Sequence, residues 1–297
     1  EFEKSGTCLL HVARDDKRMA AVKDALNFFA PDIQIKIFPS WDCLPYDRIS
    51  PNSEISSRRL SILTDLAQNA TSKYIILTTV NAATQRIPNR SILSSAIFQA
   101  EVGKHIDLNL LYKFLGNMGF SKTSTVSEPG DYAVRGGIID IFAPGEVGAI
   151  RLDLFGDVLD GVRQFDPISQ RTVLKMQSIR LVPVSEVIFD EESISRFRKN
   201  YRKEFGASHS KDILYENVSM GIKYQGVEHW LPFFHEKLET IFDYLPKATV
   251  TLDDNVDLAR TSRWEVIINQ FQSRKENLNQ KSKLDSIYKP IEPEQLY

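Results

Sequence analysis

Short apolar runs alternate with segments of helical hydrophobic period over the first third of the chain. The runs that predict buried strands are residues 7–13, 33–38 and 73–79. The segments that predict helices between them are residues 16–30, with Met19, Val22, Leu26 and Phe29 at helical spacing, and residues 54–67. This strand–helix–strand–helix–strand order is typical of a parallel sheet covered by helices.

The pattern changes at about residue 98. One amphipathic helix is predicted at residues 108–120, and short strands separated by Pro-Gly, Gly-Asp and Asp-Pro pairs follow it. Residues 132–142 have the pattern of one buried strand, and residues 151–166 that of a hairpin turning at Gly156 and Asp157. Residues 98–182 are therefore expected to form a small α+β domain.

From residue 183 onward the hydrophobic period is mostly helical. Helices are predicted at residues 191–206, at 229–246 and from about Val256, and residues 248–254 form a strand that can rejoin the first sheet. We therefore predict an α/β protein in three parts, residues 1–97, 98–182 and 183–297. The middle part is a small α+β domain inserted into a parallel-sheet domain.

Composition narrows the class of protein only a little. The 297 residues carry a net charge of -2, so no overall basic character points to nucleic acid. The two cysteines, Cys8 and Cys43, are too few for a disulfide framework. No apolar stretch is long enough for a membrane helix, and no secretory signal pattern is present, so we predict a cytoplasmic protein without a membrane partner.

The chemistry that a parallel sheet often supports is not visible in the sequence. Neither the P-loop pattern nor the dinucleotide-binding glycine pattern occurs, and Gly136-Gly137 lies within a predicted strand. His229 and His235 are six residues apart among aromatic residues, which predicts packing and not zinc binding. We therefore expect no catalytic residue, no metal site and no cofactor in this chain.

The segment at residues 39–53 is a long loop with three prolines at the carboxyl end of a predicted strand. Open α/β sheets usually place their sites at such ends. The alternative, which we favour, is that Trp41, Leu44 and Tyr46 fill a hydrophobic gap.

Charged residues interrupt two apolar strands of the middle part. If residues 132–142 form one strand, alternation places Arg135 on the face opposite Asp140. In the next strand, Arg151, Asp153 and Phe155 share the face opposite Leu152 and Leu154. Either Arg135, Arg151 and Phe155 form an exposed protein interface, or the arginines pair with Asp140 and Asp153 within the sheet. The spacing alone leaves both interpretations open.

Four segments carry a resemblance to a known family: residues 38–63, 128–145, 150–172 and 228–246, which begin FPSWDCLPYD, EPGDYAVRGG, IRLDLFGD and EHWLPFFHEK. In this order they resemble the amino-terminal region of the Mfd family, the bacterial transcription-repair coupling factors. The resemblance covers nearly the whole chain. It implies the fold of the repair protein UvrB, with domains 1a, 2 and 1b at residues 1–97, 98–182 and 183–297. UvrB also has an ATP-binding P-loop and a DNA-clamping hairpin, and neither is visible here.

The resemblance implies that the chain recruits UvrA to stalled RNA polymerase in nucleotide excision repair, through domain 2. The family's UvrA-contacting positions correspond to Arg135, Arg151 and Phe155, with Arg163 and Arg171 as candidate rim residues. The full-length proteins of the family are ATP-dependent DNA translocases. Their contacts with RNA polymerase, DNA, ATP and magnesium lie in other domains, and a carboxyl-terminal domain covers the UvrA-binding face at rest.

Two other functions remain as alternatives. The first is a UvrB-like nucleotide- or DNA-binding module, with weak DNA binding through the basic residues 195–205. The second is a scaffold that has no partner.

Overall fold

The computed structural model describes residues 8–68, 74–206, 212–279 and 289–297. Within these ranges the strands are β1 (Leu9–Ala13), β2 (Ile35–Phe38), β3 (Ile75–Thr79), β4 (Ile87–Pro88), β5 (Phe98–Glu101), β6 (Ser121–Lys122), β7 (Asp131–Arg135), β8 (Ile138–Ile141), β9 (Ala149–Phe155), β10 (Val158–Phe165), β11 (Thr172–Met176), β12 (Ser178–Leu181), β13 (Leu238–Glu239) and β14 (Thr249–Leu252). The α-helices are α1 (Asp16–Phe29), α2 (Ser53–Gln68), α3 (Val80–Ala83), α4 (Arg90–Ser95), α5 (Leu108–Asn117), α6 (Glu191–Phe205), α7 (Ile213–Ser219), α8 (Leu231–Phe234), α9 (Ile241–Tyr244), α10 (Val256–Asn279) and α11 (Pro293–Leu296).

The first sheet is parallel and has four strands in the order β14-β1-β3-β2. Helix α1 packs on one face through Met19, and α2 packs on the other through Leu60 and Leu63. Strand β14 pairs with β1, with Leu10 opposite Val250, so the chain returns to this sheet near its end. The α/β class and the return of residues 248–254 to the first sheet are both confirmed.

One predicted core position of α1 is wrong. Phe29 is 81% exposed, whereas Met19 is buried and Val22 and Leu26 are partly buried against the sheet. Phe29 is the last residue of the helix, and its ring lies edge-on to Phe28, with 5.0 Å between the ring centroids. At this end of the helix the hydrophobic period continues past the part that packs against the sheet.

The second sheet has six strands in the order β11-β10-β9-β8-β7-β6. Helix α5 covers one face and buries Leu111 and Leu115 against Ile139 and Leu152. The strands that lead into and out of this unit, β5 and β12, pair with each other as an antiparallel ribbon. The hairpin of residues 151–166, with its turn at Gly156-Asp157, is confirmed as β9 and β10. The domain limits at residues 98 and 182 stay a prediction.

The prediction of a single strand at residues 132–142 is wrong. The segment forms two strands, β7 and β8, that turn at Gly136-Gly137. Gly136 has φ = 58°, which favours glycine, and a Cβ on Gly137 would lie 2.8 Å from the Leu154 carbonyl oxygen. The register pairs Ala133 with Asp140, so Arg135 and Asp140 lie on the same face and not on opposite faces.

The prediction of one helix at residues 229–246 is also wrong. The structure has a 3₁₀ helix at Val227–Trp230, then α8, β13 and α9. His235 is extended and ends α8, and Thr240 starts α9 through a capping box with Asp243. Several short elements therefore carry the apolar residues that suggested one helix. The helices predicted at residues 191–206 and from Val256 are confirmed as α6 and α10, and residues 280–283 lie outside the described ranges.

The loop at residues 39–53 packs inward and helps to join the two sheets. Trp41 and Tyr46 are buried as predicted, whereas Leu44 is exposed and that part of the prediction is wrong. The fully buried Arg59 of α2 donates hydrogen bonds to Glu186 at 2.6 Å and to the Pro39 carbonyl at 2.7 Å. Trp41 Nε1 also donates to Glu186, at 3.0 Å. Glu186 follows the second sheet, so this buried pair connects the loop, α2 and the outgoing chain.

Candidate docking surface on the second sheet

Charged side chains occupy the face of the second sheet that α5 does not cover. Alternation along β9 places Arg151, Asp153 and Phe155 on this face, because Leu152 points into the core. The registers of β7, β8 and β10 bring further charged residues beside them. We call this surface the arginine face, and define it as Arg135, Asp140, Arg151, Asp153, Phe155 and Arg163.

Asp140 lies at the centre of the arginine face. Its Oδ1 accepts a hydrogen bond from Arg151 Nε at 2.6 Å, and its Oδ2 accepts one from Arg151 Nη2 at 2.8 Å. Oδ2 also accepts a hydrogen bond from Arg135 Nη2. The Asp140 side chain is 1% exposed, so one buried carboxylate joins two guanidinium groups.

Arg151 is held on several sides. Besides its two bonds to Asp140, its Nη2 donates to Gln170 Oε1 at 3.1 Å, and its guanidinium lies 4.5 Å from the centre of the Phe165 ring. The hydrogen bonds to Asp140 raise the pKa of Arg151 above its usual value. The side chain is only 19% exposed, so its position is largely determined within this chain.

Arg135 and Phe155 project further into solvent than Arg151 does. The Arg135 side chain is 48% exposed and Phe155 is 82% exposed. Leu154 N donates to the Gly137 carbonyl at 2.7 Å, so Phe155 lies beside the turn that follows Arg135. The Phe155 ring and the Arg135 guanidinium therefore lie beside the two-glycine turn. Aromatic and arginine side chains are common in protein interfaces.

The rim of this face lies on β9, β10 and β11. Arg163 lies opposite Arg151 in the register and donates to both carboxylate oxygens of Asp153, at 2.7 and 2.9 Å. Arg171 is exposed just before β11. Sequence reasoning missed Lys175, which is exposed and lies opposite Arg163. Only the register of β10 with β11 reveals that neighbour.

The pairing within the sheet is present in part. Arg135 and Arg151 both pair with Asp140, whereas Asp153 pairs with Arg163. All of these side chains lie on the sheet face opposite α5. Arg135 and Arg151 meet on Asp140, and Phe155 adjoins them. The assignment of these residues to a partner stays a prediction.

Other candidate sites have less to support them. His229 and His235 are buried as predicted, and burial lowers the pKa of His229 to about 4. Burial raises the pKa of Cys8 to about 11 and that of Cys43 to about 12, so neither thiol is ionised at neutral pH. Across the described ranges, no His, Cys, Asp and Glu side chains form a group suited to a metal ion.

Trp41 of the 39–53 loop, Glu128 and Glu228 line a cavity of about 160 Å³. None of the helices that the structure describes combines the length and apolar character needed to cross a bilayer.

Comparison with known proteins places this surface in a known type of domain. Residues 98–187 match the family model described as the UvrB interaction domain, and this range holds the whole arginine face. The chain is 34% identical over its full length to the transcription-repair-coupling factor of Haemophilus influenzae. It is 30% identical over 97% of its length to that of Rickettsia bellii, and 32% identical over 88% to that of Escherichia coli.

The chain spans about a quarter of the length of these curated relatives: 25%, 25% and 22%. The match runs through both sheets, and the matching domain model covers the second one. The chain therefore belongs to the family of transcription-repair-coupling factors, and its second sheet lies in a UvrB interaction domain.

Proposed function

We propose that the arginine face binds UvrA, and that the chain recruits UvrA to stalled RNA polymerase in nucleotide excision repair. The observation that carries this proposal is the exposed Phe155 beside the partly exposed Arg135, on a sheet face that α5 leaves open. The name of the matching domain, the UvrB interaction domain, supports a docking role for residues 98–187. Aromatic and arginine side chains are the commonest energetic centres of such interfaces.

The activities of the whole protein are part of the same proposal. We infer a full-length protein that is an ATP-dependent DNA translocase in the cytoplasm, and that binds RNA polymerase, DNA, ATP and magnesium through other domains. Its carboxyl-terminal domain covers the arginine face at rest. In this proposal the chain itself contributes docking and no catalytic step.

Binding of DNA by α6 is less favoured. Two of its basic side chains already have partners in the fold: Arg196 donates to the Phe234 carbonyl at 2.7 Å, and Arg198 donates to the Ser219 carbonyl. Both groups therefore serve to hold α6 against neighbouring segments. The exposed Lys199 and Lys203 are what would be expected of a solvated helix face.

The proposal predicts that an Arg135→Ala, Phe155→Ala double variant loses most of its affinity for UvrA. Each truncation of an interface centre is expected to cost about 2 kcal/mol or more. Isothermal titration calorimetry of the chain with UvrA measures the loss, and circular dichroism checks that the variant is folded.

An Arg58→Ala, Phe28→Ala variant is the matched control, because both side chains are exposed and belong to the first sheet's helices. This control is expected to bind UvrA as the parent does. If the Arg135→Ala, Phe155→Ala variant binds UvrA with the affinity of the parent chain, the interface lies outside the arginine face. Absence of binding by the parent chain would refute recruitment of UvrA by this region.

A further inference from the structure

Asp140 is buried, although it lies on the sheet face opposite α5. Its neighbours in the register are Ala133 on one side and Arg151 on the other. Ala133 and Phe165 belong to a small apolar cluster on this face, and the Phe165 ring also lies under Arg151. The apolar cluster thus takes the carboxylate out of water, and a buried carboxylate is stable only when it is well paired.

The two arginines depend on this carboxylate to different degrees. Arg151 also contacts Gln170 and Phe165, so its guanidinium has other restraints. For Arg135, the bond to Asp140 is the one side-chain hydrogen bond found within the described residues. A free arginine side chain has many rotamers, and ordering it on binding weakens association.

The charge balance leaves the pair of arginines available to a partner. Two guanidinium groups share one carboxylate, so the cluster keeps a net charge of about +1. Arg135 remains 48% exposed, and its bond to Asp140 uses only Nη2. The donors at Nε and Nη1 can then face an acidic group or a carbonyl oxygen of the partner.

We propose that Asp140 is a positioning residue of the docking surface. It holds the guanidinium groups of Arg135 and Arg151 in the arrangement that the partner meets, before the partner arrives. The consequence for binding rests on the proposed function, in which the partner is UvrA. The order of the two arginines in the free chain does not rest on it.

A purely electrostatic role of Asp140 predicts a change of the opposite sign. If Asp140 only lowered the positive charge of the face, Asp140→Asn would strengthen the attraction of an acidic partner. If Asp140 positions the arginines, the same variant weakens binding although the face becomes more positive. Asp140→Glu keeps the charge and moves the carboxylate by one methylene group, so positioning predicts weaker binding in that variant too.

The first measurement concerns the free chain. Nuclear magnetic resonance relaxation of the Arg135 and Arg151 Nε–Hε groups reports their order. Asp140→Asn is expected to make the Arg135 group mobile, while Asp153→Asn, the matched control on the next strand, affects Arg163 instead. An Arg135 group that stays as ordered as in the parent would overturn the proposal. A loss of near-ultraviolet circular dichroism would show that Asp140→Asn is not natively folded. In that case the same relaxation measurement on Asp140→Glu tests the order of Arg135.

The second measurement is binding to UvrA. Asp140→Asn is expected to weaken it on the order of tenfold or more. In an Arg135→Ala background, Asp140→Asn should reduce the affinity for UvrA by a clearly smaller factor, because its effect on binding passes through Arg135. Unchanged or tighter binding, or an undiminished cost in that background, would overturn the positioning role. If the parent does not bind UvrA while Asp140→Asn still mobilises Arg135, the proposed function fails and the positioning of the arginines stands.

Discussion

At the scale of single residues, His229 gives the chain a sensitivity to acid. The imidazole is almost completely buried and lies edge-on to Trp41, with 5.8 Å between the ring centroids. Burial disfavours the charged form and lowers the pKa of His229 from 6.5 to about 4. Between these two values the unfolded chain binds a proton that the folded chain does not. Stability therefore falls as the pH is lowered through this window.

We expect a His229→Gln variant to be less sensitive to acid than the parent chain. Between pH 7 and pH 5 the parent should lose about 2 kcal/mol more of its free energy of unfolding than the variant, from the linkage of this one group. Urea unfolding at both pH values measures the difference. His235, whose pKa burial also lowers, is present in both proteins and cancels in the comparison. Equal pH dependence would show that His229 is not the acid-sensitive group.

Residues differ in how far their roles can be predicted from the sequence. The packing role of the two histidines follows from their aromatic neighbours, and the exposed Phe155 follows from alternation with Leu152. The role of Asp140 depends on a register across three strands. No local pattern contains that register, so its shared pairing with two arginines became visible only in the fold.

At the scale of elements, the most important difference between the prediction and the structure lies at a two-residue turn. Residues 132–142 have the apolar content of one strand, but Gly136-Gly137 reverses the chain. The reversal places Asp140 beside Ala133 and therefore on the face of Arg135. The glycine pair is a known hairpin signal, and giving it more weight would have placed the charges correctly.

The buried pair of Arg59 and Glu186 is the contact between elements whose loss should cost most. We expect Glu186→Ala to lower the free energy of unfolding by about 3–5 kcal/mol, because it leaves the guanidinium of Arg59 buried without its carboxylate. Glu192→Ala is the matched control, since Glu192 pairs with Arg196 one helical turn away and is exposed. Its expected effect is about 0.5 kcal/mol or less. Similar losses in both variants by urea unfolding would contradict a joining role for the pair.

At the scale of the whole molecule, the middle unit has a core of its own. The apolar cluster under α5 includes Ile106, Leu111, Ile139, Leu152 and Val184, and all of its members lie within residues 98–187. The order of a parallel sheet, a small sheet domain and a return to the first sheet was predictable, because each unit has its own hydrophobic period. The packing between the units was not predictable from the sequence, because it relies on buried polar contacts such as that of Trp41 with Glu186.

Residues 98–187, expressed alone, are therefore expected to fold and to unfold in one cooperative transition. If the arginine face is the docking surface, this piece should also keep the affinity of the whole chain for UvrA within about threefold, a change of about 0.6 kcal/mol. Thermal unfolding followed by circular dichroism, and calorimetry with UvrA, test the two statements separately. A piece that does not unfold cooperatively would show that the middle unit needs the first sheet.

The ribbon of β5 and β12 has a consequence for how such proteins can be rearranged. The register pairs Phe98 with Leu181. The points at which the chain enters and leaves the unit of the second sheet are therefore neighbours in space. A short turn between them would leave the strand order of the parallel sheet unchanged. Conversely, a host protein with two adjacent chain ends can accept the unit together with its arginine face. Recombination can thus transfer the arginine face between proteins as one exchangeable piece, and with it the docking specificity proposed for that face.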